Sequence, residues 1–331
     1  MNILLSCFFP TTVVLVDDNL SFIDAVTGML PSSGIVLKAF TDPCEALSYI
    51  NDVSNVNRLD YSDLTRGGEE GTSDWNSVLL NINCLHREIY SFDRFSRISA
   101  IVVDYSMPSM KGVELCSAVN DKSIQKVLLT GVADEKIAID AFNCGRINRF
   151  IKKGGDNLEA EIVENIDKSV CQYFKIHTDD ISKHLSIHDQ THLKDPVFAN
   201  FFFNNCLNNE YVEYYMLDTF GGYLFLSSDG RPSFLSVLTE HEISRIVNIG
   251  IESGEISRTV LEGLESREYI LVSHSRTGQL PPISEWGSYM KPARRLEGYQ
   301  TYYFAFSGAE SLDLDFDNIK SFDRFKKISG I

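Results

Sequence analysis

The chain has 331 residues, enough for two domains with a hydrophobic core each. Its composition, 44% hydrophobic and 23% charged, is that of an ordinary globular protein, and no apolar run approaches the roughly 20 residues that a membrane helix needs. The formal net charge is −16 at pH 7, and no segment carries the basic face that binding to a phosphate backbone requires, so nucleic acid is disfavoured as a direct partner.

The cysteines and the start of the chain indicate the compartment. Seven cysteines form no C-x-x-C pair and their number is odd, so they predict neither a disulfide framework nor a zinc site. The apolar start MNILLSCFFP lacks a basic leader and a small-residue cleavage site, so we expect no signal peptide. These features predict a cytoplasmic protein without a membrane segment.

Five apolar, strand-like runs alternate with helical periods in the first half of the chain. The runs are 11–16, 34–40, 99–104, 125–130 and 148–153. This alternation predicts an α/β fold with a five-stranded, doubly wound parallel sheet. Between the last two runs, Ile137, Ala141 and Phe142 have the spacing of one helical face, which we expect to pack on the sheet. The polar, glycine-rich stretch around 51–82 is interpreted as a surface insertion.

Polar side chains follow these runs where a parallel sheet collects its ligands. The first predicted strand ends in Asp17 and Asp18, the third in Asp104, the fourth in Thr130 and the fifth in Lys152. Neighbouring carboxylates repel one another unless a cation lies between them, and Mg²⁺ prefers carboxylate and phosphate oxygens. An aspartate beside Mg²⁺ is a nucleophile toward a phosphoryl group, whose oxygens a lysine and a hydroxyl stabilise. The pattern therefore predicts that Asp104 is phosphorylated.

Four segments, VLVDDN, IVVDYSMPSMKG, VLLTG and RFIKK, resemble in this order the receiver domain of two-component response regulators. The resemblance covers roughly residues 11–156 and implies a flavodoxin-like fold and a sensor histidine kinase or phosphotransfer protein as partner. A narrower resemblance is to the quorum-sensing response regulators of the legionella type. By the resemblance, the phosphoacceptor is Asp104, the Mg²⁺ ligands are Asp17, Asp18, Asp104 and the backbone carbonyl of Ser106, and the remaining site residues are Thr130 and Lys152.

Two positions depart from the family pattern. Lys153 stands where the family usually has proline after the lysine, so no pyrrolidine ring fixes this turn. Arg149 stands three residues before Lys152, where many receivers carry Tyr or Phe, and Phe150 follows it. The sequence therefore leaves open whether an aromatic residue is coupled to Thr130.

A helical linker is predicted over 157–194, after a receiver domain over 1–156. Apolar residues recur at i+4 from Leu158 to Phe174, and the period continues through His177 and Ile181. One alternative is a long helix that pairs with a second copy of the chain when the protein is phosphorylated. The other is a helix that ends near Phe174, before an irregular linker. The histidines between 177 and 192 have helical spacing, but no cysteine or fixed carboxylate completes a metal site.

Residues 195–331 predict an α+β output domain with an antiparallel sheet. A strand meander over 213–239 precedes a helical stretch at 240–266 and strand-like runs at 268–273 and 301–308. Its tyrosines and Trp286 are interpreted as core residues, with a pocket for a planar ligand as the alternative. We find no helix-turn-helix and no catalytic motif. The prediction is a non-enzymatic, non-DNA-binding output domain that acts on an unidentified protein target; the alternative is a receiver-gated enzyme or a nucleotide- or nucleic-acid-binding domain.

One segment occurs twice. SFDRFSRISAI at 91–101 and SFDRFKKISGI at 321–331 agree at eight of eleven positions. In both copies two phenylalanines and an isoleucine are spaced i, i+3 and i+6, which predicts one helical face. Either both copies are amphipathic helices that pack on their own domains, or the second copy occupies a surface that also accepts the first.

Overall fold

The structure is a computed structural model, and it describes residues 4–29, 34–57, 87–131, 134–155, 157–183, 191–206, 211–218, 221–273, 280–308 and 314–330. The strands are β1 Cys7–Phe8, β2 Thr11–Val16, β3 Ile35–Phe40, β4 Ile98–Asp104, β5 Gln125–Thr130, β6 Arg149–Lys152, β7 Tyr211–Met216, β8 Tyr223–Ser227, β9 Pro232–Thr239, β10 Tyr269–Leu271, β11 Met290–Pro292, β12 Arg294–Glu297 and β13 Thr301–Ser307.

The helices fill the intervals between these strands. They are α1 Leu20–Met29, α2 Pro43–Val56, α3 Asp93–Ser96, α4 Gly112–Ala118, α5 Glu135–Asn143, α6 Leu158–Ser182, α7 Thr191–Lys194, α8 Pro196–Cys206, α9 Glu240–Ser253, α10 Arg258–Glu265, α11 Trp286–Tyr289 and α12 Phe322–Ser329. None of the helices among the described residues is both long enough and apolar enough to span a bilayer.

The chain divides into two compact units, neither of which is one continuous segment. We call Phe9–Asp60, Phe92–Asp179 and Phe325–Ile331 the α/β unit, and Met1–Phe8, Tyr61–Ser91 and Asp180–Arg324 the α+β unit. The domain limits that the sequence suggested, 1–156, 157–194 and 195–331, stay a prediction. Most of the interpreted insertion at 51–82 lies outside the described residues.

The α/β unit contains the predicted five-stranded parallel sheet, in the order β3-β2-β4-β5-β6. Every residue of β2, β4 and β5 is buried, as expected for strands covered on both faces. The observed strands agree with the predicted runs to within about a residue at each end. The doubly wound, flavodoxin-like fold is confirmed.

Helix α5 packs on the sheet through a different face from the predicted one. Ala138 and Ala141 are buried, whereas Ile137 and Phe142 are 42% and 50% exposed. The prediction for Ile137 and Phe142 was wrong because two small residues let the helix approach the sheet closely and turn its larger side chains outward.

Helix α6 is continuous from Leu158 to Ser182, which confirms the long-helix alternative. Its apolar face is buried within the chain, for example by an edge-to-face contact between Phe9 and Phe174 with ring centroids 4.9 Å apart. This face is thus already covered within the chain, and the predicted pairing with a second copy stays a prediction. On the same helix, buried His177 packs against the ring of Tyr173. His184 and His188 lie outside the described residues.

The α+β unit contains the predicted antiparallel sheet, with six strands in the order β1-β7-β8-β9-β13-β12, and a separate pair of β10 and β11. Strands β1, β11 and β12 were not predicted. The ring of Phe202 on α8 packs against Tyr214, Tyr223 and Phe225. Most of the aromatic side chains of the sheet are buried against one another, which supports their interpretation as core.

The two copies of the repeated segment differ in structure. The first forms the single turn α3 and enters β4, and the second forms helix α12. Within the α/β unit, the ring of Phe325 lies 5.2 Å from that of Phe95 and 6.3 Å from that of Phe92. The second copy thus contacts the first copy itself, which differs from both alternatives.

Candidate functional site

The site lies at the carboxyl ends of β2 and β4, the neighbouring first and third strands of the parallel sheet. Chain connections leave these two strands in opposite directions across the sheet, which opens a crevice at their ends. Asp17 directly follows β2 and Asp104 is the last residue of β4. The sequence prediction that these carboxylates meet at one edge is borne out by the geometry.

Three carboxylates converge there. Asp17, Asp18 and Asp104 each offer an oxygen within 4.8 Å of the other two. Asp17 and Asp104 are buried and Asp18 is exposed. Backbone N–H groups orient the buried pair, because Asn19 donates to Asp17 Oδ1 at 2.9 Å and Ser106 donates to Asp104 Oδ2 at 3.1 Å. The second oxygen of each buried carboxylate contacts a lysine.

Lys153 lies between the two buried carboxylates. Its Nζ is 2.6 Å from Asp17 Oδ2 and 2.7 Å from Asp104 Oδ1. Lys152, which the sequence analysis had assigned to the site, instead pairs with Glu135 at 2.7 Å, and its side chain is 50% exposed. The structure therefore corrects the assignment from Lys152 to Lys153.

Lys153 faces the aspartates because β6 ends one residue before it. Lys152 is still paired with Thr130 in β6, and Lys153 N–H donates to the Thr130 carbonyl at 2.8 Å. Successive side chains of a strand point to opposite sides, so only one of two adjacent lysines faces the aspartates. With Lys153 as the site lysine, the aromatic Phe150 stands three residues before it, and Gly154, with a φ of 106°, takes the place of the family's proline.

The remaining predicted residues lie at the same edge. Thr130 ends β5, and its Oγ1 is buried and has no hydrogen-bond partner among the described residues. Ser106 lies in the turn after Asp104. A buried hydroxyl without a partner is costly unless a ligand or water completes its hydrogen bonding. Thr130 therefore points to a polar ligand at this edge.

Gly112, the last residue of the IVVDYSMPSMKG segment, packs closely against the backbone of Asp104. A Cβ placed on Gly112 would lie 2.3 Å from the Asp104 carbonyl oxygen and 2.9 Å from Leu128 Cδ1. The end of β4 thus packs directly on the backbone at the start of α4. A side chain there would displace the strand end that carries Asp104.

The burial of the site changes its pKa values. Burial raises the pKa of Asp17 above its ordinary value, and hydrogen bonds from Lys153 and Asn19 only partly offset this. Burial lowers the pKa of Lys153, but its hydrogen bonds and Coulombic attraction to Asp104 and Asp17 outweigh that effect, so the pKa lies above the ordinary value. Lys153 is therefore a permanent cation at neutral pH.

The donor set fits a hard divalent cation. Carboxylate oxygens are ligands that Mg²⁺ prefers, and a site with an exposed side leaves room for the water molecules that Mg²⁺ retains. Two buried carboxylates, Asp17 and Asp104, and the exposed Asp18 meet at the ends of β2 and β4 and offer the oxygens that such a cation needs.

Comparison with known proteins places this site in context. No protein-family model and no curated protein matches the chain. The solved structure of the Legionella pneumophila response regulator LqsR is similar, with 33% identity and a TM-score of 0.80 over 98% of this chain and 95% of that chain. A CheY-like receiver domain from Methanospirillum hungatei matches 50% of this chain and 98% of its own length at 14% identity, with a TM-score of 0.34. An adenylate cyclase from Rhodopirellula baltica matches 54% of this chain and 99% of its own, at 20% identity and a TM-score of 0.36.

Proposed function

Because the chain belongs to the family of response regulators that includes LqsR of Legionella pneumophila, we propose that it is phosphorylated on Asp104 in a Mg²⁺-dependent reaction. The observation that carries this proposal is the meeting of Asp17, Asp18 and Asp104 at the end of the parallel sheet, with a lysine between the buried pair. The phosphoryl donor is a sensor histidine kinase or a phosphotransfer protein.

Each site residue has a distinct task in the transfer. An Asp104 carboxylate oxygen attacks the phosphorus of a phosphohistidine, the new O–P bond forms, and the N–P bond breaks with its electron pair left on the imidazole. The Thr130 hydroxyl donates a hydrogen bond to a phosphoryl oxygen, and Lys153 neutralises another. Mg²⁺ bound by Asp17, Asp18, Asp104 and the Ser106 carbonyl would supply further neutralisation of these oxygens.

Labelling with acetyl phosphate tests this proposal. The full chain is incubated with acetyl phosphate, with and without MgCl₂, and the phosphorylated fraction is measured by intact mass. Asp104→Asn and Asp17→Ala should abolish the mass increase, whereas Asp140→Asn, at an exposed acid on α5, should label like wild type. Labelling of Asp104→Asn at the wild-type rate, or labelling in EDTA, would overturn the proposal.

Phosphorylation is proposed to control a homodimer, with its contact on helix α5 rather than α6. Ile139 and Phe142 stand three residues apart on α5 and are 42% and 50% exposed, so they form an apolar patch on one helix face. Light scattering of wild type and Phe142→Ser, with and without beryllofluoride, tests this point. Equal masses in all four samples would rule out the dimer.

The output is proposed to be a protein contact made by the α+β unit. The net charge of −16 argues against direct binding to nucleic acid. A pull-down with and without beryllofluoride asks which protein is captured in a phosphorylation-dependent way. A gel shift at physiological salt, or turnover of a nucleotide, would instead support an output domain that binds nucleic acid or acts as an enzyme.

A further inference from the structure

Phe22, which no motif singled out, lies against the charged end of Lys153. The Lys153 Nζ is 4.6 Å from the centroid of the Phe22 ring, within the range at which a cation is attracted to an aromatic face. Phe22 is the third residue of α1 and is half-buried. The ammonium group thus has an aromatic ring as a neighbour besides its two carboxylates.

Lys153 contacts carboxylate oxygens that would also serve as ligands of Mg²⁺. The inward oxygens, Asp17 Oδ2 and Asp104 Oδ1, lie 2.6 and 2.7 Å from Lys153 Nζ, while the other oxygen of each carboxylate already accepts a backbone N–H. A Mg²⁺ ion binds carboxylate oxygens at about 2.1 Å. A Mg²⁺ ion on these oxygens would lie next to the ammonium group, and the repulsion between the two cations would push the ammonium group away from the carboxylates.

We propose that Phe22 is a positioning residue that holds the Lys153 ammonium between Asp17 and Asp104 and thereby weakens the binding of Mg²⁺. The ring stabilises the metal-free arrangement, because an ammonium group displaced from the carboxylates also leaves the ring. Phe22 then sets the Mg²⁺ concentration at which the site can be phosphorylated. This inference rests on the proposed function of the site.

Calorimetric titration of the full chain with MgCl₂ tests the inference without relying on phosphorylation. Phe22→Leu removes the aromatic face and is expected to lower the Mg²⁺ dissociation constant about two- to fivefold. Phe22→Tyr keeps the face and should bind Mg²⁺ like wild type. If Phe22→Leu does not fold, as judged by circular dichroism, Phe22→Met serves as the second non-aromatic replacement.

The double variant separates a contact with Lys153 from a general effect of the substitution. In a Lys153→Gln background, adding Phe22→Leu should leave the dissociation constant unchanged, because the cation that the ring holds is gone. A shift of the same size in both backgrounds would overturn the inference. So would a Phe22→Leu affinity equal to or weaker than that of wild type.

A failure of the proposed function can be told apart from a failure of the role of Phe22. If wild type and the Phe22 variants bind no Mg²⁺ and are not labelled by acetyl phosphate, the proposed function itself is overturned, and the inference with it. If wild type binds Mg²⁺ and is labelled, but the Phe22 variants match it, only the role of Phe22 is overturned.

Discussion

Replacing Lys153 by alanine is expected to destabilise the α/β unit far more than the same change at Lys152. The two residues are adjacent and chemically identical, so each serves as the control for the other. They differ in what the folded chain places beside them. Lys153 contacts two carboxylates that are 1% and 8% exposed, whereas Lys152 contacts Glu135 at a surface where both side chains are more than 40% exposed.

The burial of the two carboxylates determines how much stability is lost when Lys153 is replaced. Removing one partner of a buried ion pair costs about 3–5 kcal/mol, because it leaves a buried charge without compensation. The Lys153 side chain is 28% exposed, so solvent reaches part of the vacated space, and protonation of Asp17 relieves part of the repulsion. We therefore expect a loss of about 2–3 kcal/mol for Lys153→Ala. An exposed pair such as that of Lys152 is worth about 0–1 kcal/mol.

The assay has to report the α/β unit alone. Guanidinium titration at pH 7 in EDTA, followed by hydrogen–deuterium exchange of peptides from β2 and β4, gives the free energy of opening of that sheet. Saturating MgCl₂ should restore part of the stability lost in Lys153→Ala, since a bound cation stabilises the state that binds it. Equal losses in the two variants, or a loss below about 0.5 kcal/mol in Lys153→Ala, would refute this account of the site.

Other variants test the surroundings of the site and the second unit. Gly112→Ala should destabilise the protein by about 1–3 kcal/mol and slow acetyl phosphate labelling, because its Cβ meets the carbonyl at the end of β4, whereas Gly155→Ala, with nothing within 4 Å of its Cβ, should match wild type in both. Labelling unchanged in the first variant would contradict this. Phe325→Ala should lower the free energy of opening of β4, measured by hydrogen–deuterium exchange, by about 1–2 kcal/mol; the loss is smaller than for a fully buried phenylalanine because the ring is half-buried. Unchanged exchange would show that the contact of Phe325 with the first copy contributes nothing. A hydrogen bond from Arg267 holds the pKa of Glu240 below its ordinary value of 4.5, so Glu240→Gln should be less stable than wild type at pH 7. Because the pKa of Glu240 is lower in the folded than in the unfolded chain, the difference in stability between the two proteins should vanish as the pH falls below about 4.5 and through the folded-state pKa. A difference that stays constant from pH 7 to pH 3 in chemical unfolding would argue against the ion pair.

The sequence by itself determined the parallel sheet and the three acids of the site. A strand buried on both faces requires a largely apolar run, so β2, β4 and β5 are recognisable in the sequence. The carboxylates that follow β2 and end β4 stand out against these runs. In a parallel sheet these ends necessarily share one edge. The convergence of Asp17, Asp18 and Asp104 was therefore predictable without coordinates.

The choice between two adjacent lysines was not predictable in the same way. The spacing from Phe150 was a signal for Lys153, since an aromatic residue three positions earlier is part of the family pattern. That signal was outweighed by the expectation that Lys152 ends the fifth strand. Which lysine faces the aspartates depends on where the pairing of β6 with β5 stops, and that is a property of the assembled sheet. The contact of Phe22 with Lys153 leaves no sequence signal at all.

The repeated segment shows most directly what the sequence alone does not determine. Ile98 and Ile328 occupy the same place in nearly identical sequences, yet Ile98 begins β4 and is 4% exposed, and Ile328 lies in α12 and is 66% exposed. The first copy is drawn into a strand because β2 offers backbone partners, with Ile98 registered opposite Thr12. The second copy forms its hydrogen bonds within a helix, where two lysines in the last turn and a left-handed Gly330 beyond it favour that end. Local sequence determined which segments are apolar and periodic. The neighbouring strand decided which of the two similar segments became a strand, because backbone pairing across a sheet outweighs the small energies of helix propensity.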